Sequence, residues 1–183
     1  MQTYIALFRG INVGGNNILP MKALIALLEG LGLQHVRTYI QSGNVVFQCE
    51  PTDAAQLSAQ ISTAIQQSHG FEPRVLLLTR EELEKAMRAN PFPEAEDEPK
   101  TLHLGFLASV PANPKLQALE GLRKENERFD LRGKLFYLHA PDGIGRSKLA
   151  PSAERLLGVP MTDRNWRTVS KIMEMIAELQ KAD

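Results

Sequence analysis

A loop rich in glycine and asparagine near the start of the chain has residue types that can bind phosphate. It reads Gly-Ile-Asn-Val-Gly-Gly-Asn-Asn over residues 10–17, between a predicted strand and a predicted helix. Backbone N–H groups in such a loop can surround an anion. The candidate ligand-binding residues here are Arg9, Asn12, Gly14 and Gly15. The alternative is a tight turn that needs glycine for its positive φ angles.

This loop does not fit a Walker-type nucleotide site. Gly10 and Gly15 have the glycine spacing of a P-loop, but Asn16 and Asn17 stand where that motif has Lys and then Ser or Thr. The motif needs the lysine to reach the phosphates and the hydroxyl to bind Mg²⁺. A Walker-type NTPase is therefore not expected.

A second polar segment, Gln41-Ser42-Gly43-Asn44, separates two β-rich runs and predicts a hairpin. If the first and second strands run parallel in one sheet, this hairpin and the first loop emerge at the same edge. We then expect Ser42 and Asn44 to face the first loop and to bind the same ligand. The alternative is that Ser42 and Asn44 only favour a tight turn.

A third segment, Gly143-Ile144-Gly145-Arg146-Ser147-Lys148, precedes a predicted helix. Two cations, a hydroxyl and backbone N–H groups near the positive end of a helix all favour an anion. Arg146, Ser147 and Lys148 are therefore candidate ligand-binding residues. The alternative for Ser147 is an ordinary helix cap.

The only tryptophan lies between two arginines in a fourth segment, over residues 162–168. A guanidinium group and an indole face can contact a base or a phosphate. Arg164, Asn165 and Trp166 are candidate ligand-binding residues on this ground. The alternative is that Trp166 anchors the last helix in the core while Asn165 caps that helix.

Other chemical motifs are missing from the sequence, and no catalytic residue is identified. The four histidines lie in different predicted elements and form no HxH or HxxxH pair, so no metal site is predicted. There is no G-x-S-x-G elbow and no pair of carboxylates typical of a hydrolytic centre. No cofactor is expected, and the sequence does not decide whether the protein is an enzyme.

The charges are balanced in total but uneven along the chain. Lys plus Arg and Asp plus Glu are each 21, which argues against a dedicated nucleic-acid coat. Residues 81–127 have ten acids and six bases, a net charge of −4, whereas residues 128–171 have nine bases and four acids, a net charge of +5. The basic segment is either a solvated surface or a face that attracts anions.

The sequence also predicts a cytoplasmic protein. A single cysteine, Cys49, cannot form a disulfide within the chain, which fits a reducing compartment. No signal peptide and no apolar run long enough to cross a membrane are visible, so no membrane partner is expected.

Hydrophobic periodicity predicts an α+β fold made of two successive ferredoxin-like halves with an added C-terminal helix. The first 79 residues read β-α-β-β-α-β, and the order returns after residue 100, with helices expected over 113–125 and 147–157. The predicted domains are residues 1–89 and 101–183. Residues 90–100, with three prolines and four acids over 90–99, are predicted to be a linker that has little to bury.

Four segments resemble the bacterial family DUF1697, a domain of unknown function. They are Tyr-Ile-Ala-Leu-Phe-Arg-Gly-Ile-Asn-Val-Gly-Gly at 4–15, Thr-Tyr-Ile-Gln-Ser-Gly-Asn-Val-Val-Phe at 38–47, Asn-Pro-Phe at 90–92 and Thr-x-Arg-Asn-Trp-x-Thr at 162–168. The resemblance covers nearly the whole chain. It implies an α+β fold with a duplicated ferredoxin-like arrangement, and it implies no reaction.

These observations favour a protein that binds an anionic, phosphate-bearing ligand such as a nucleotide or nucleic acid. The alternatives are an enzyme acting on a small phosphorylated or amide substrate and a dimeric protein-interaction module. The protein is expected to be a monomer or a homodimer.

Overall fold

A computed structural model describes residues 1–182 and divides the chain into two compact units. One contains Met1–Lys85 together with the chain from Lys171 onward, and the other contains Ala86–Ser170. The division falls within two helices, α3 (Arg80–Arg88) and α6 (Trp166–Ala182). The predicted domains instead placed residues 90–100 in a linker and all of α6 with the second half.

The first half has the predicted β-α-β-β-α-β order. Its elements before α3 are β1 (Gln2–Arg9), α1 (Met21–Gly30), β2 (Gln34–Tyr39), β3 (Asn44–Cys49), α2 (Ala54–His69) and β4 (Arg74–Thr79). The strands form a sheet of order β2-β3-β1-β4 in which all neighbours are antiparallel. This order is the ferredoxin-like arrangement, and it makes β1 and β2 parallel to each other.

Local signals in the sequence position the helices of this half correctly. The Asp53 side chain accepts a hydrogen bond of 2.7 Å from the Gln56 N–H, and Gly70 ends α2 in the left-handed conformation. At the start of α3, Thr79 and Glu82 make both bonds of a capping box, of 2.8 and 3.2 Å. Buried side chains from one face of the sheet pack with the apolar faces of α1 and α2.

The second half repeats the topology. Its elements are β5 (Leu102–Leu107), α4 (Leu116–Leu122), β6 (Arg128–Arg132), β7 (Leu135–His139), α5 (Ala153–Leu157) and β8 (Met161–Asn165). The sheet has the order β6-β7-β5-β8, again antiparallel throughout, so its central strands correspond to those of the first sheet. The predicted pair of ferredoxin-like halves is therefore confirmed.

The helices of the second half are shorter than the sequence predicts. The helix predicted over 113–125 covers only Leu116–Leu122, because the Lys115 N–H donates to the Leu156 carbonyl at 2.8 Å and Arg123 has extended φ and ψ angles. The helix predicted over 147–157 is wrong. Short 3₁₀ helices at Ile144–Arg146 and Ala150–Ser152 precede the five-residue α5, since Pro151 has no N–H to donate to the Ser147 carbonyl.

The acidic, proline-rich stretch is folded against its own unit, which corrects the expectation of a linker with little to bury. It contains a 3₁₀ helix, Pro93–Asp97, and buries Phe92 and Ala95. The Arg128 guanidinium lies 4.6 Å from the centre of the Phe92 ring and forms a salt bridge with Glu94. Arg128 thus contacts both the aromatic ring of Phe92 and the carboxylate of Glu94. These contacts explain why the stretch packs although it is rich in proline and acidic residues.

Gly43 is expected to be the glycine least tolerant of substitution. A Cβ there would lie 2.6 Å from both Phe8 Cβ and Ile11 Cδ1, whereas a Cβ at Gly70, which has the same φ of 78°, meets nothing within 4 Å. Gly70→Ala should cost about 1–2 kcal/mol from backbone strain. Gly43→Ala should cost about 1–3 kcal/mol more from overpacking. Urea denaturation of the two variants measures the difference, and equal costs would contradict the predicted clash.

Acid should weaken the second unit through His139. The Arg128 Nη2 donates to His139 Nδ1 at 3.0 Å, and burial, together with the Arg128 charge, lowers the pKa of His139 below its usual value. A histidine whose pKa falls on folding stabilises the protein fully above the unfolded pKa of about 6.5 and loses that contribution as pH falls through the folded pKa. The free energy of unfolding should therefore fall more steeply between pH 7 and 5 in the wild type than in His139→Gln, as measured by urea denaturation at each pH. Parallel pH profiles would contradict this role.

Candidate functional site

The first two candidate loops lie at the same edge of the first sheet, as the parallel direction of β1 and β2 predicts. The Asn12 Nδ2 donates to the Gln41 carbonyl at 2.9 Å, which joins the loop after β1 to the hairpin after β2. A second link runs from the Phe8 N–H to the Gly43 carbonyl at 2.8 Å. The close packing of Gly43 against Phe8 holds the two loops together.

Most polar groups at this edge bind to the loops themselves. Asn12 also donates to the Leu19 carbonyl at 2.9 Å and accepts from the Leu19 N–H at 2.8 Å. Asn44 is fully buried and donates to the Tyr39 carbonyl and to the Ser42 hydroxyl. Asn12 and Asn44 therefore maintain the shape of the loops, as the turn alternative expects.

The remaining candidate residues of this edge are more exposed. Gly14, Gly15 and Ser42 are exposed, and Arg9 is half-buried. Three large aliphatic side chains on the same two loops are also exposed, namely Val13, Ile18 and Ile40. This edge thus presents exposed aliphatic side chains beside exposed polar residues.

A pocket of about 370 Å³ lies within the second unit. Its lining is mostly apolar and comes from one face of the sheet and from the chain between β7 and α5: Phe136, Leu138, Ile144, Gly145, Ser147, Ala150, Pro151, Ala153, Met161 and Asp163. Gly145 and Ser147 belong to the third candidate segment, and Asp163 belongs to the fourth. The structure therefore brings these two segments together in one cavity.

The pocket exists because the second sheet has less helical cover than the first. The helices α1 and α2 contain 10 and 16 residues, whereas α4 and α5 contain 7 and 5. The central strand also has a glycine, Gly105, opposite Phe136 on one side and Asp163 on the other. A Cβ at Gly105 would lie 2.5 Å from Met161 Sδ, so the missing side chain is what lets Met161 lie against the strand.

The most distinctive polar group of the pocket is a carboxylate held by a histidine. Asp163 Oδ2 lies 2.8 Å from His103 Nδ1, and the other ring nitrogen of His103 lies 3.2 Å from the Lys100 carbonyl oxygen. His103 is buried, while the Asp163 side chain remains 34% exposed. An ionised carboxylate and a carbonyl only accept hydrogen bonds, so both contacts are hydrogen bonds when His103 has a proton on each nitrogen.

Ser147, His103 and Asp163 do not form a catalytic triad in this structure. The Ser147 hydroxyl is buried and accepts from the Ala150 N–H at 3.1 Å. Both nitrogens of His103 contact other acceptors, whereas a triad needs one of them to face the serine. The arrangement is suited to binding and orienting a polar group rather than to activating a hydroxyl.

Two cations lie on the segment that lines the pocket. Arg146 and Lys148 are exposed, and neither forms a salt bridge with any described residue. The predicted helix dipole behind them is absent, because the segment is followed by 3₁₀ turns and α5 has only five residues. Any attraction for an anion here must come from the two side chains and the backbone of the segment.

The side chains of the fourth candidate segment alternate between the two faces of β8, so they do not all face the pocket. Asp163 lies on the pocket face of β8, and Arg164, which pairs with Leu104, lies on the opposite face. Burial lowers the pKa of Arg164 to about 10, while Asp163 acts in the opposite direction, so the guanidinium is charged at neutral pH. Asn165 Oδ1 accepts from the Thr168 N–H at 3.0 Å, and Trp166 is buried, as expected for a helix cap and an anchor.

Residue types and spacing alone did not identify the two groups that define the pocket chemistry. Composition marks the fourth segment without singling out Asp163, and the spacing of the histidines tests His103 only as a metal ligand. The available signal was the alternation of side chains along two short strands, which places Asp163, Gly105 and His103 on one face once β5 and β8 are paired. That pairing joins residues 60 positions apart and is not visible from local sequence.

Neither a metal cluster nor a membrane span is found in the described part of the chain. No three side chains of His, Cys, Asp or Glu within residues 1–182 are grouped as metal ligands would be. No helix of the described residues is both long enough and apolar enough to cross a bilayer.

Comparison with known proteins gives a family and a structural relative. The model of DUF1697, a family described as "Protein of unknown function", matches residues 1–137, so the resemblance noted at residues 162–168 lies beyond the matched range. A solved structure of the conserved bacterial protein SP0830 from Streptococcus pneumoniae is 27% identical, with a TM-score of 0.74, and the similarity covers 97% of this chain and 99% of that one. No curated protein matches the chain.

Asn12 should contribute to stability through its side-chain donors. Asn12→Asp keeps the acceptor for the Leu19 N–H but loses the N–H groups that bind the Leu19 and Gln41 carbonyls, which should cost about 1–3 kcal/mol. Asn16→Asp is the matched control, because Asn16 is exposed and its one side-chain bond, to the Gly14 carbonyl, is long at 3.4 Å. Urea denaturation should show a clear loss only for Asn12→Asp. Equal stability of the two variants would argue that the Asn12 contacts do not hold the loops.

Proposed function

Because the chain belongs to the DUF1697 family of proteins of unknown function, we propose its function from the pocket of the second unit: the protein binds a mononucleotide. The single observation that supports this most strongly is a cavity with an apolar lining and a carboxylate, next to a lining segment that also carries two exposed cations. Each part matches one part of a nucleotide. The family and the structural relative assign no ligand.

The apolar part of the pocket suits a flat ring. Its volume of about 370 Å³ falls within the range of about 300–1,000 Å³ typical of small-molecule sites. Phe136 presents an aromatic side chain, and Leu138 and Met161 add aliphatic surface on the same face of the sheet. A base in this position would lose water-exposed apolar area and gain contacts with carbon and sulfur.

The polar groups suit the edge of a base and a phosphate. Asp163 and Ser147 lie among apolar side chains, where a few polar groups fix the orientation of a ligand. Arg146 and Lys148 flank Ser147 in the chain and form no salt bridge with the described residues, so they are available for a phosphate. The net charge of +5 over residues 128–171 would also attract an anion towards this unit.

A mononucleotide fits better than a nucleic-acid strand. A protein that binds strands tracks the backbone with a basic groove and offers aromatic side chains to successive bases. Here the total charge is zero, and the only tryptophan is buried as the anchor of α6. The pocket has the volume for one base, and the two cations lie on the segment that lines it.

The loops of the first half are not part of this proposal. Asn12 and Asn44 use their side chains to maintain the loops, which leaves the predicted ligand contacts of Arg9, Gly14, Gly15 and Ser42 as predictions. The cytoplasmic location is likewise still a prediction. The pocket lining and the two cations on which the proposal depends all belong to the second unit.

Isothermal titration with AMP, GMP, CMP and UMP, at low and at 500 mM salt, tests the proposal. Gly145→Leu should abolish binding, because Gly145 lines the pocket and has open space where its side chain would extend. Gly121→Leu makes the same change at an exposed position of α4 that also has open space, so this variant should bind like the wild type. Affinity for the phosphate-bearing ligands should fall as salt rises, because exposed cations are screened.

Three results would contradict the proposal. Absence of heat for all four nucleotides at low salt would exclude a mononucleotide ligand. Unchanged affinity in Gly145→Leu would place any nucleotide site elsewhere. Binding of single-stranded RNA without binding of any mononucleotide would reject the pocket in favour of a strand-binding surface.

A further inference from the structure

We propose that Asp163 is the specificity-determining residue of this pocket and that it selects nucleotides whose base donates an amino N–H. This inference rests on the proposed function and adds the class of base that the pocket accepts. Adenine, cytosine and guanine have an exocyclic amino group, and uracil does not.

The position of Asp163 directs its side chain into the pocket. It lies on β8 opposite Gly105, which has no side chain, and its contact with the neighbouring central strand is with His103. Phe136, which also pairs with Gly105, lies on the other side of that glycine on the same face. The carboxylate therefore lies beside an apolar surface that includes Phe136 and Met161.

His103 holds one oxygen of the carboxylate and leaves the other for a ligand. The Nδ1 of His103 lies 2.8 Å from Asp163 Oδ2, and the Lys100 carbonyl orients the opposite side of the ring at 3.2 Å. Asp163 is 34% exposed although it has this bond, so part of its carboxylate still faces open space. The buried ring, itself held on its other side, therefore fixes the orientation of the carboxylate.

An ionised carboxylate can only accept hydrogen bonds, and this determines what it selects. A base that presents an amino N–H at this position gains a charge-assisted bond. A base that presents a carbonyl oxygen, or only carbon and hydrogen, leaves the carboxylate without a partner after its water is displaced. Sites of this kind discriminate strongly because the cost falls on the ligand that lacks the donor.

Matched nucleotide pairs test the inference by calorimetric titration of the whole chain. The pairs are AMP with purine riboside 5′-monophosphate, GMP with IMP, and CMP with zebularine 5′-monophosphate, in which the second member lacks only the amino group. In the wild type, at least one amino nucleotide should bind about tenfold or more tightly than its partner. In Asp163→Asn that ratio should fall to about one or invert, because the amide accepts from His103 with its oxygen and directs its own N–H₂ into the pocket.

Asp142→Asn is the matched control. It also removes one negative charge from the second unit, but Asp142 binds Lys124 and Asn126 at the surface and does not line the pocket. Its amino-to-deamino ratio should equal that of the wild type. The ratio is measured within each variant, so a general loss of affinity from a structural disturbance cancels.

The outcomes separate this inference from the function on which it rests. A ratio near one for all three pairs in the wild type, with binding still abolished by Gly145→Leu, would overturn the role of Asp163 and keep the nucleotide pocket. A high ratio that persists in Asp163→Asn would also overturn it. Failure of every nucleotide to bind would overturn the proposed function and this inference together.

Discussion

An antiparallel sheet that buries one face needs helices to cover that face, and the two halves of the chain meet this constraint to different extents. In the first half, two regular helices of 10 and 16 residues cover the sheet, and the core contains large side chains from every strand. In the second half the helices have 7 and 5 residues. The same topology therefore gives a core covered by two regular helices in one unit and a core with a cavity beside it in the other.

The fold could be predicted from the sequence because its signals are local. The structure confirms the helices whose ends are marked by capping residues. These residues are Asp53 and Gly70 for α2, and Thr79 with Glu82 for α3. The sequence predictions fail where a contact between residues far apart in the chain decides the local conformation. Phe92 belongs to a stretch of prolines and acids, and only the Arg128 guanidinium from β6 explains why that stretch is packed.

The candidate site was less predictable, for the same physical reason. The segments at 143–148 and 162–168 were recognised by composition, and both contribute to the pocket. The polar group that distinguishes the pocket, Asp163, is held by His103, which lies on another strand 60 residues away in the chain. Conversely, Asn12 and Asn44 resemble ligand-binding residues by type, but their amides bind the backbone of these two loops, because a left-handed or reversing chain needs partners for its carbonyls.

The contact between His103 and Asp163 also limits the direction from which a ligand can reach the carboxylate. The His103 ring lies 2.8 Å from Asp163 Oδ2 and 3.2 Å from the Lys100 carbonyl oxygen on its other side, so this side of the carboxylate is occupied. A donor on a ligand therefore approaches Asp163 from the side that faces the cavity. The angle of one hydrogen bond, which weakens steeply when it is bent, then sets the orientation of the whole ligand.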